Sequence, residues 1–191
     1  MNTPLLFSSF PFITGQNVTL SRMTDMDAEA LWEVLGDEEN FRYAPTAPLP
    51  SPVLCEGRMA RYEAMFRDRV AIVLGIYPCG GGNPLGGIFE IYNVDPQIES
   101  VTVRFTLSRK YTGQSYATGA LRAAVEYLMD NVGVHRIQAY VQPANYRGVL
   151  VLERCGIFLA RQGYCRPLPL LPSAHRRPPP PQQPCFLGPT M

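Results

Sequence analysis

Residues 110–121, Lys-Tyr-Thr-Gly-Gln-Ser-Tyr-Ala-Thr-Gly-Ala-Leu, combine glycine, hydroxyls and small side chains at a spacing suited to holding an anion. They follow a β-branched run ending at Leu107 and enter a proline-free segment of helical periodicity that reaches about Asp130. A tight turn feeding a helix leaves the first backbone N–H groups without intrahelical acceptors. Together with the positive end of the helix dipole, those donors suit a phosphate. Gly113 lets the backbone approach such a ligand closely. The chemistry expected is the holding of an anion, a phosphate or a pyrophosphate.

The flanking elements must position that turn. A first strand is expected over Val18–Met23, then a helix capped by Thr24 or Asp25 and running to about Gly36, with Ala28, Leu31, Trp32 and Leu35 at helical spacing. Pro45, Pro48, Pro50 and Pro52 mark an irregular connection to a second helix, about Leu54 to Arg69. Strands at Val70–Tyr77 and Leu85–Tyr92 flank the turn cluster Cys79-Gly-Gly-Gly-Asn-Pro. A third strand spans 100–107, and the helix from Ser115 stops at Asn131 and Gly133. Strand His135–Gln142, a helix over Tyr146–Arg154 and a strand over Ile157–Ala160 complete the series. The order β-α-α-β-β-β-α-β-α-β is that of a mixed α/β (α+β) fold with one helical crossover between strands.

Composition narrows the function classes. A chain of 191 residues is one domain with or without an appendage. A net charge of +1 gives no electrostatic capture of nucleic acid or of an anionic membrane. Lys110 is the only lysine among 17 basic residues, an arginine bias of the source and not a binding surface. Five scattered cysteines (55, 79, 155, 165, 185) without a CxxC, with only His135 and His175, argue against a metal site and for a reducing compartment. The apolar start, Met1–Phe12, lacks a basic flank and contains Pro4 and Pro11, so it makes a poor signal peptide; a cytoplasmic location is expected. Domain boundaries are expected at 1–17 (an extension), 18–163 (the body) and 164–191, where nine prolines and no acid suggest polyproline II or disorder. That tail reads either as a ligand for a proline-recognising domain or as an unstructured end.

Four segments, in order, resemble the GNAT superfamily of acyl-CoA-dependent N-acyltransferases, in particular its ribosomal-protein N-terminal acetyltransferase branch. They are Val18–Leu31 (the opening strand and helix), Leu107–Leu121 (the strand end and pyrophosphate turn), Val134–Val141 (the next strand) and Asn145–Ile157. The last ends Val-Leu-Glu-Arg-Cys-Gly-Ile, close to the family's Leu-Glu-Lys-x-Gly-Phe. The resemblance implies a twisted mixed sheet flanked by helices and acetyl-CoA as acyl donor. It also implies a primary amine as acceptor, on a protein N-terminus or a small molecule. Lys110, Gly113, Gln114, Ser115, Tyr116, Ala117 and Thr118 would then surround the pyrophosphate, Lys110 being either a phosphate contact or a solvated charge. Thr106 and Leu107 would offer backbone to the pantetheine amides, and Asn145 its side-chain amide.

Departures accompany the resemblance. Ser115 stands at the family's second loop glycine, Thr102 where a carboxylate often stands, and Arg104 at a usual glycine. Gly148 replaces a serine placed near the leaving thiolate, and Leu152 a tyrosine used in other branches. Glu90 and Glu99 are either general bases or ordinary surface carboxylates; Tyr146 either approaches the thiol or packs on a helix; His135 reads as a strand start. No catalytic residue is assigned. The family's last strand would follow Tyr164 and is expected to be missing, and an edge left open in this way would allow a homodimer. These departures keep a second reading alive, a non-catalytic acyl-CoA-binding or scaffold protein.

Overall fold

The computed structural model describes residues 1–44, 46–80, 84–160 and 164–167. Six strands form one sheet in sequential order: β1 (Ile13–Thr14), β2 (Val18–Ser21), β3 (Ala71–Pro78), β4 (Gly87–Asp95), β5 (Ser100–Leu107) and β6 (Arg136–Gln138). Neighbours are antiparallel except β5 and β6, which are parallel because a helix connects them. A short α1 (Thr3–Leu6) precedes the sheet; α2 (Ala28–Leu35), α3 (Glu38–Phe41) and α4 (Leu54–Arg67) lie between β2 and β3. The crossover helix is α5 (Tyr116–Glu126), continued by one π turn over Tyr127–Asn131, and α6 (Tyr146–Arg154) follows β6. The architecture is the mixed α/β one expected.

Alternation along the strands divides the interior into two cores. On one face Leu74, Phe89, Ile91, Val101 and Val103 meet Leu121, Ala124 and Leu128 of α5. On the other, Val73 and Ile88 meet Leu31, Val34 and Leu35 of α2 and Met59 and Tyr62 of α4. Helix α5 seats very close to the β1–β2 hairpin: a Cβ at Gly119 would stand 2.0 Å from Asn17 Oδ1. Glycine there sets how closely the helix sits on the sheet, and with it where the turn before the helix points.

Three observations differ from the expectations. Residues 1–17 pack into the body: Leu6 is fully buried, Phe7 and Ile13 nearly so, and Ile13 pairs with Leu20. The strand expected over His135–Gln142 keeps only Arg136–Gln138, as β6 leaves β5 after three pairs. The final strand is not missing. Ile157–Ala160 (β7) pairs antiparallel with Tyr164–Pro167 (β8), which also runs beside β6. Tyr164-Cys-Arg-Pro supplies four extended residues, and Pro167, opposite Ile157, stands at the end of the ladder, where a residue without an N–H is tolerated. The premise for dimerisation through an edge left by a missing strand therefore falls away. The tail beyond 167 lies outside the described residues.

Candidate active site

The parting of β5 from β6 is the first feature of the site. Their ladder consists of Ser100↔Arg136, Val101↔Ile137 and Thr102↔Gln138; Val103–Leu107 run on without a partner on that side among the described residues. Two hydrogen bonds fix which backbone groups face the opening. Ser108 N–H donates to Gly86 C=O at 2.9 Å, and Glu99 C=O accepts from Arg136 N–H at 3.1 Å. By strand alternation, even-numbered residues turn their main-chain groups to β4 and odd-numbered ones to β6. The open donors and acceptors are thus those of Val103, Phe105 and Leu107. Thr106 has its main-chain groups on the β4 side, which takes its backbone out of the expected pantetheine contacts.

The turn after β5 is the second feature. Residues Arg109–Tyr111 make one 3₁₀ turn, and the chain then reverses through Gly113 at φ +78° and Ser115 at φ +62°. The first amide of the following helix to find an acceptor is Gly119, whose N–H donates to Ser115 C=O at 2.9 Å. Among the described residues none accepts from the N–H groups of Gly113, Gln114, Ser115, Tyr116, Ala117 or Thr118. Gly113, Gln114 and Ser115 are exposed, and the next three half-buried. Gln114 Nε2 donates back to Lys110 C=O at 2.8 Å, and the rings of Tyr111 and Tyr116 meet edge to face at 6.0 Å. Their contact brackets the turn.

Ser115 carries a cost there, since a side chain in the left-handed region is disfavoured by about 1–2 kcal/mol. Ser115→Gly should therefore relieve that strain, offset in part by the greater unfolded-chain entropy of glycine. Ser115→Val should lower stability further, a β-branched side chain being worst at positive φ, and urea unfolding of both variants checks the pair.

Ion pairs tie the turn to the helices before β3. Arg109 grips Asp37 bidentately, Nη2 to Oδ1 at 2.7 Å and Nε to Oδ2 at 2.6 Å. Asp37 Oδ1 also accepts from Glu39 N–H at 3.0 Å, capping α3. Lys110 Nζ donates to Glu33 Oε1 of α2 at 2.6 Å, and that hydrogen bond, with Glu33's charge, holds its pKa above the ordinary value. Its ammonium is thus paired with Glu33 while the side chain stays 67% exposed, a solvated charge.

Asn145 sits at the start of α6, and its Oδ1 accepts from Gly148 N–H at 3.0 Å. The oxygen caps the helix, and its amide nitrogen has no acceptor among the described residues. Gly148 leaves room for this cap: a Cβ there would stand 2.9 Å from Asn145 Nδ2. Leu152 is buried in the core, and Tyr146 is 76% exposed.

Both candidate bases are already paired. Glu90 receives Arg104 through Nε at 3.0 Å and Nη2 at 2.5 Å. Glu99 accepts from the N-terminal ammonium and stands 2.7 Å from His135 Nδ1; the first contact, then His135, holds its pKa below the usual carboxylate range. Glu99 lies at the paired end of the β5–β6 ladder, four residues before Val103, or about 13 Å along a strand. Sequence reasoning missed the Arg104–Glu90 pair because 14 residues separate the partners. The register Glu90↔Arg104 joins them, and opposite charges across neighbouring strands are a recognisable signal once pairing is known.

The cysteines add a check on burial. Desolvation pushes the Cys155 thiol up to about 11 and raises Cys55, which is also buried, whereas Cys79 is exposed. Since the thiolate is the reacting species, iodoacetamide at pH 8 should modify Cys79 well before Cys55 or Cys155, read by peptide mass mapping.

The family model described as an acetyltransferase (GNAT) domain matches residues 17–157. "Probable N-acetyltransferase YjcK" of Bacillus subtilis (strain 168) is 23% identical over 99 residues, which are 52% of this chain and 55% of that protein. The chain thus spans about half the length of this curated relative. Among solved structures, spermidine N-acetyltransferase from Vibrio cholerae, in complex with CoA and spermine, aligns with a TM-score of 0.64 at 16% identity. That alignment covers 78% of this chain and 91% of the other. RimL, the ribosomal L7/L12 alpha-N-protein acetyltransferase, aligns with a TM-score of 0.66 at 11% identity, over 82% and 92%. At these identities the solved structures speak for the fold, and the family model speaks for descent. The protein belongs to the GNAT acetyltransferase family.

Proposed function

We propose that the protein is an N-acetyltransferase that moves an acetyl group from acetyl-CoA to a primary amine, on a protein N-terminus or a small molecule. The observation that carries this reading is the run of unengaged N–H groups from Gly113 to Thr118, beside a strand whose edge opens at Val103. The turn would hold the pyrophosphate through main-chain donors and the helix dipole. The open main-chain groups of Val103, Phe105 and Leu107 would pair with the pantetheine amides as an added strand would. The Asn145 amide nitrogen, its oxygen spent on the helix cap, is the donor left over for the same arm.

Acetyl-CoA supplies an acyl group activated as a thioester. A neutral amine attacks the carbonyl carbon, the C–S bond breaks, the amine loses a proton and the thiolate gains one. An N–H of β5 facing the opening would stabilise the developing oxyanion, and removing such a donor typically costs about 10²–10³ in rate. With Glu90 held by Arg104 and Glu99 at the paired end, we assign the proton to water and the rate to positioning. The free thiols of Cys55, Cys79 and Cys155 fit a reducing compartment such as the cytoplasm.

A thermal shift with acetyl-CoA tests this. At a hundred times its dissociation constant the ligand should stabilise the protein by about 2.7 kcal/mol, and no saturable shift would sink the proposal. A second reading, an acyl-CoA-binding protein without turnover, is favoured by the buried Thr102 in place of a carboxylate and by Gly148 in place of a hydroxyl. Thiol release with a panel of amines separates the two.

A further inference from the structure

We propose that Arg104 recognises a carboxylate carried by the acceptor amine, so that the acceptor is an acidic amine and not a polyamine; this rests on the acetyltransferase reading above. Arg104 is on β5, two residues beyond the last pair with β6, and therefore beside the opening. Alternation places its side chain with those of Thr102 and Thr106, on the face covered by α2 and α4. The acyl donor's turn and helix α5 lie on the opposite face. An acceptor entering from the α4 side would meet this guanidinium first.

The side chain is built for recognition. A guanidinium has five N–H donors in a rigid fork. Nε and Nη2 serve Glu90, whose side chain is only 12% exposed, and the Arg104 carbon Cζ stands 5.6 Å from the centre of the Tyr92 ring. Pair and ring together hold the group in place. Nη1 has no acceptor among the described residues, and the Arg104 side chain is 41% exposed. Nη1 and the second Nη2 proton form a free edge with the geometry of a bidentate carboxylate site.

Burial, then Glu90, pushes the hydroxyl of the buried Tyr62 on α4 up to about 12, with Arg58, Arg104 and Arg61 acting the other way, so the Arg104 head lies close to α4. A guanidinium edge turned to the acceptor disfavours an amine that carries several ammonium groups. The open pocket of about 560 Å³ formed by Thr102, Gln138, Tyr140 and the β4–β5 turn lies toward the paired end of the ladder, carries the Asp95 carboxylate and is not lined by Arg104, so it is separate from this edge.

The test compares matched acceptors by thiol release from acetyl-CoA. One arm uses glutamate and aspartate against their amides; another uses peptides whose second residue is Glu against Gln; spermidine is the polyamine. We expect kcat/KM for the carboxylate form to exceed that for its amide by about tenfold or more in at least one arm, the arm identifying the source, with spermidine poorest. Arg104→Lys should reduce the preference, and Arg104→Gln combined with Glu90→Gln should abolish it without leaving a buried charge unpaired. Acetyl-CoA binding by thermal shift and the unfolding midpoint of each variant are measured alongside. Equal use of carboxylate and amide, a preference that survives the double variant, or no turnover of any amine overturns the inference while CoA binding stands. Failure of acetyl-CoA to bind the unaltered protein removes the acetyltransferase reading itself.

Discussion

Gly113→Asp is expected to weaken acetyl-CoA binding at least about a hundredfold while leaving the fold intact. The backbone at 113 is left-handed, φ +78°, and a Cβ built there meets nothing within 4 Å. Asp tolerates this conformation better than most residues, so the cost in stability should be small. What it adds is a carboxylate beside the N–H groups proposed to face the pyrophosphate. Two unit charges about 4 Å apart near a protein surface interact by about 4 kcal/mol, and salt screening still leaves well over a factor of a hundred. Gly113→Asn has nearly the same shape and tolerance but no charge. If the two variants bind acetyl-CoA equally well, by calorimetry at low salt, the turn is not where the phosphates go.

Leu121→Ala should be among the most destabilising single substitutions near the site. Leu121 is fully buried where α5 packs on the sheet, in the same core as Val18, Phe89 and Val103. Removing a buried leucine side chain costs about 2–5 kcal/mol, the transfer of the lost atoms plus the cavity they leave. Leu150→Ala on α6, where the leucine is 50% exposed, should change stability by about 0.5 kcal/mol or less. Urea unfolding at 25 °C measures both. Similar midpoints for the two variants would mean that α5 is not anchored as described, and with it the aim of its first amides. Where Leu121→Ala remains folded, acetyl-CoA should still bind, because no group proposed to touch the ligand has changed.

Much of the fold was readable because its signals are local. The strand at 100–107 and the helix Tyr146–Arg154 fall where alternation and helical spacing put them. The helix after Ser115 starts within a residue of its expected position and ends in a π turn near Asn131. The N-terminal segment and β8 were less legible. Leu6 and Phe7 are buried by contacts with distant residues, and a four-residue strand is hardly distinguishable from a coil before prolines. Their placement depends on partners, and local composition does not report partners.

The site divides along the same line. Small residues, a positive-φ glycine and a helix start are properties of adjacent residues, so the order of types from Lys110 to Leu121 was enough to locate the turn and the helix start that we propose hold the pyrophosphate. Which β5 amides are free depends on where β6 parts from β5 and on the register with β4, a parity that one residue's slip would reverse. Pairing at a distance likewise decided that Lys110 meets Glu33, that Arg109 holds Asp37 and that Arg104 occupies Glu90. Charges far apart in the chain acquire partners only when the sheet and helices bring them within hydrogen-bond reach. The amino-acid order therefore determined where the small-residue turn and its helix start lie, and the tertiary structure alone decided which ionisable groups are paired beside them.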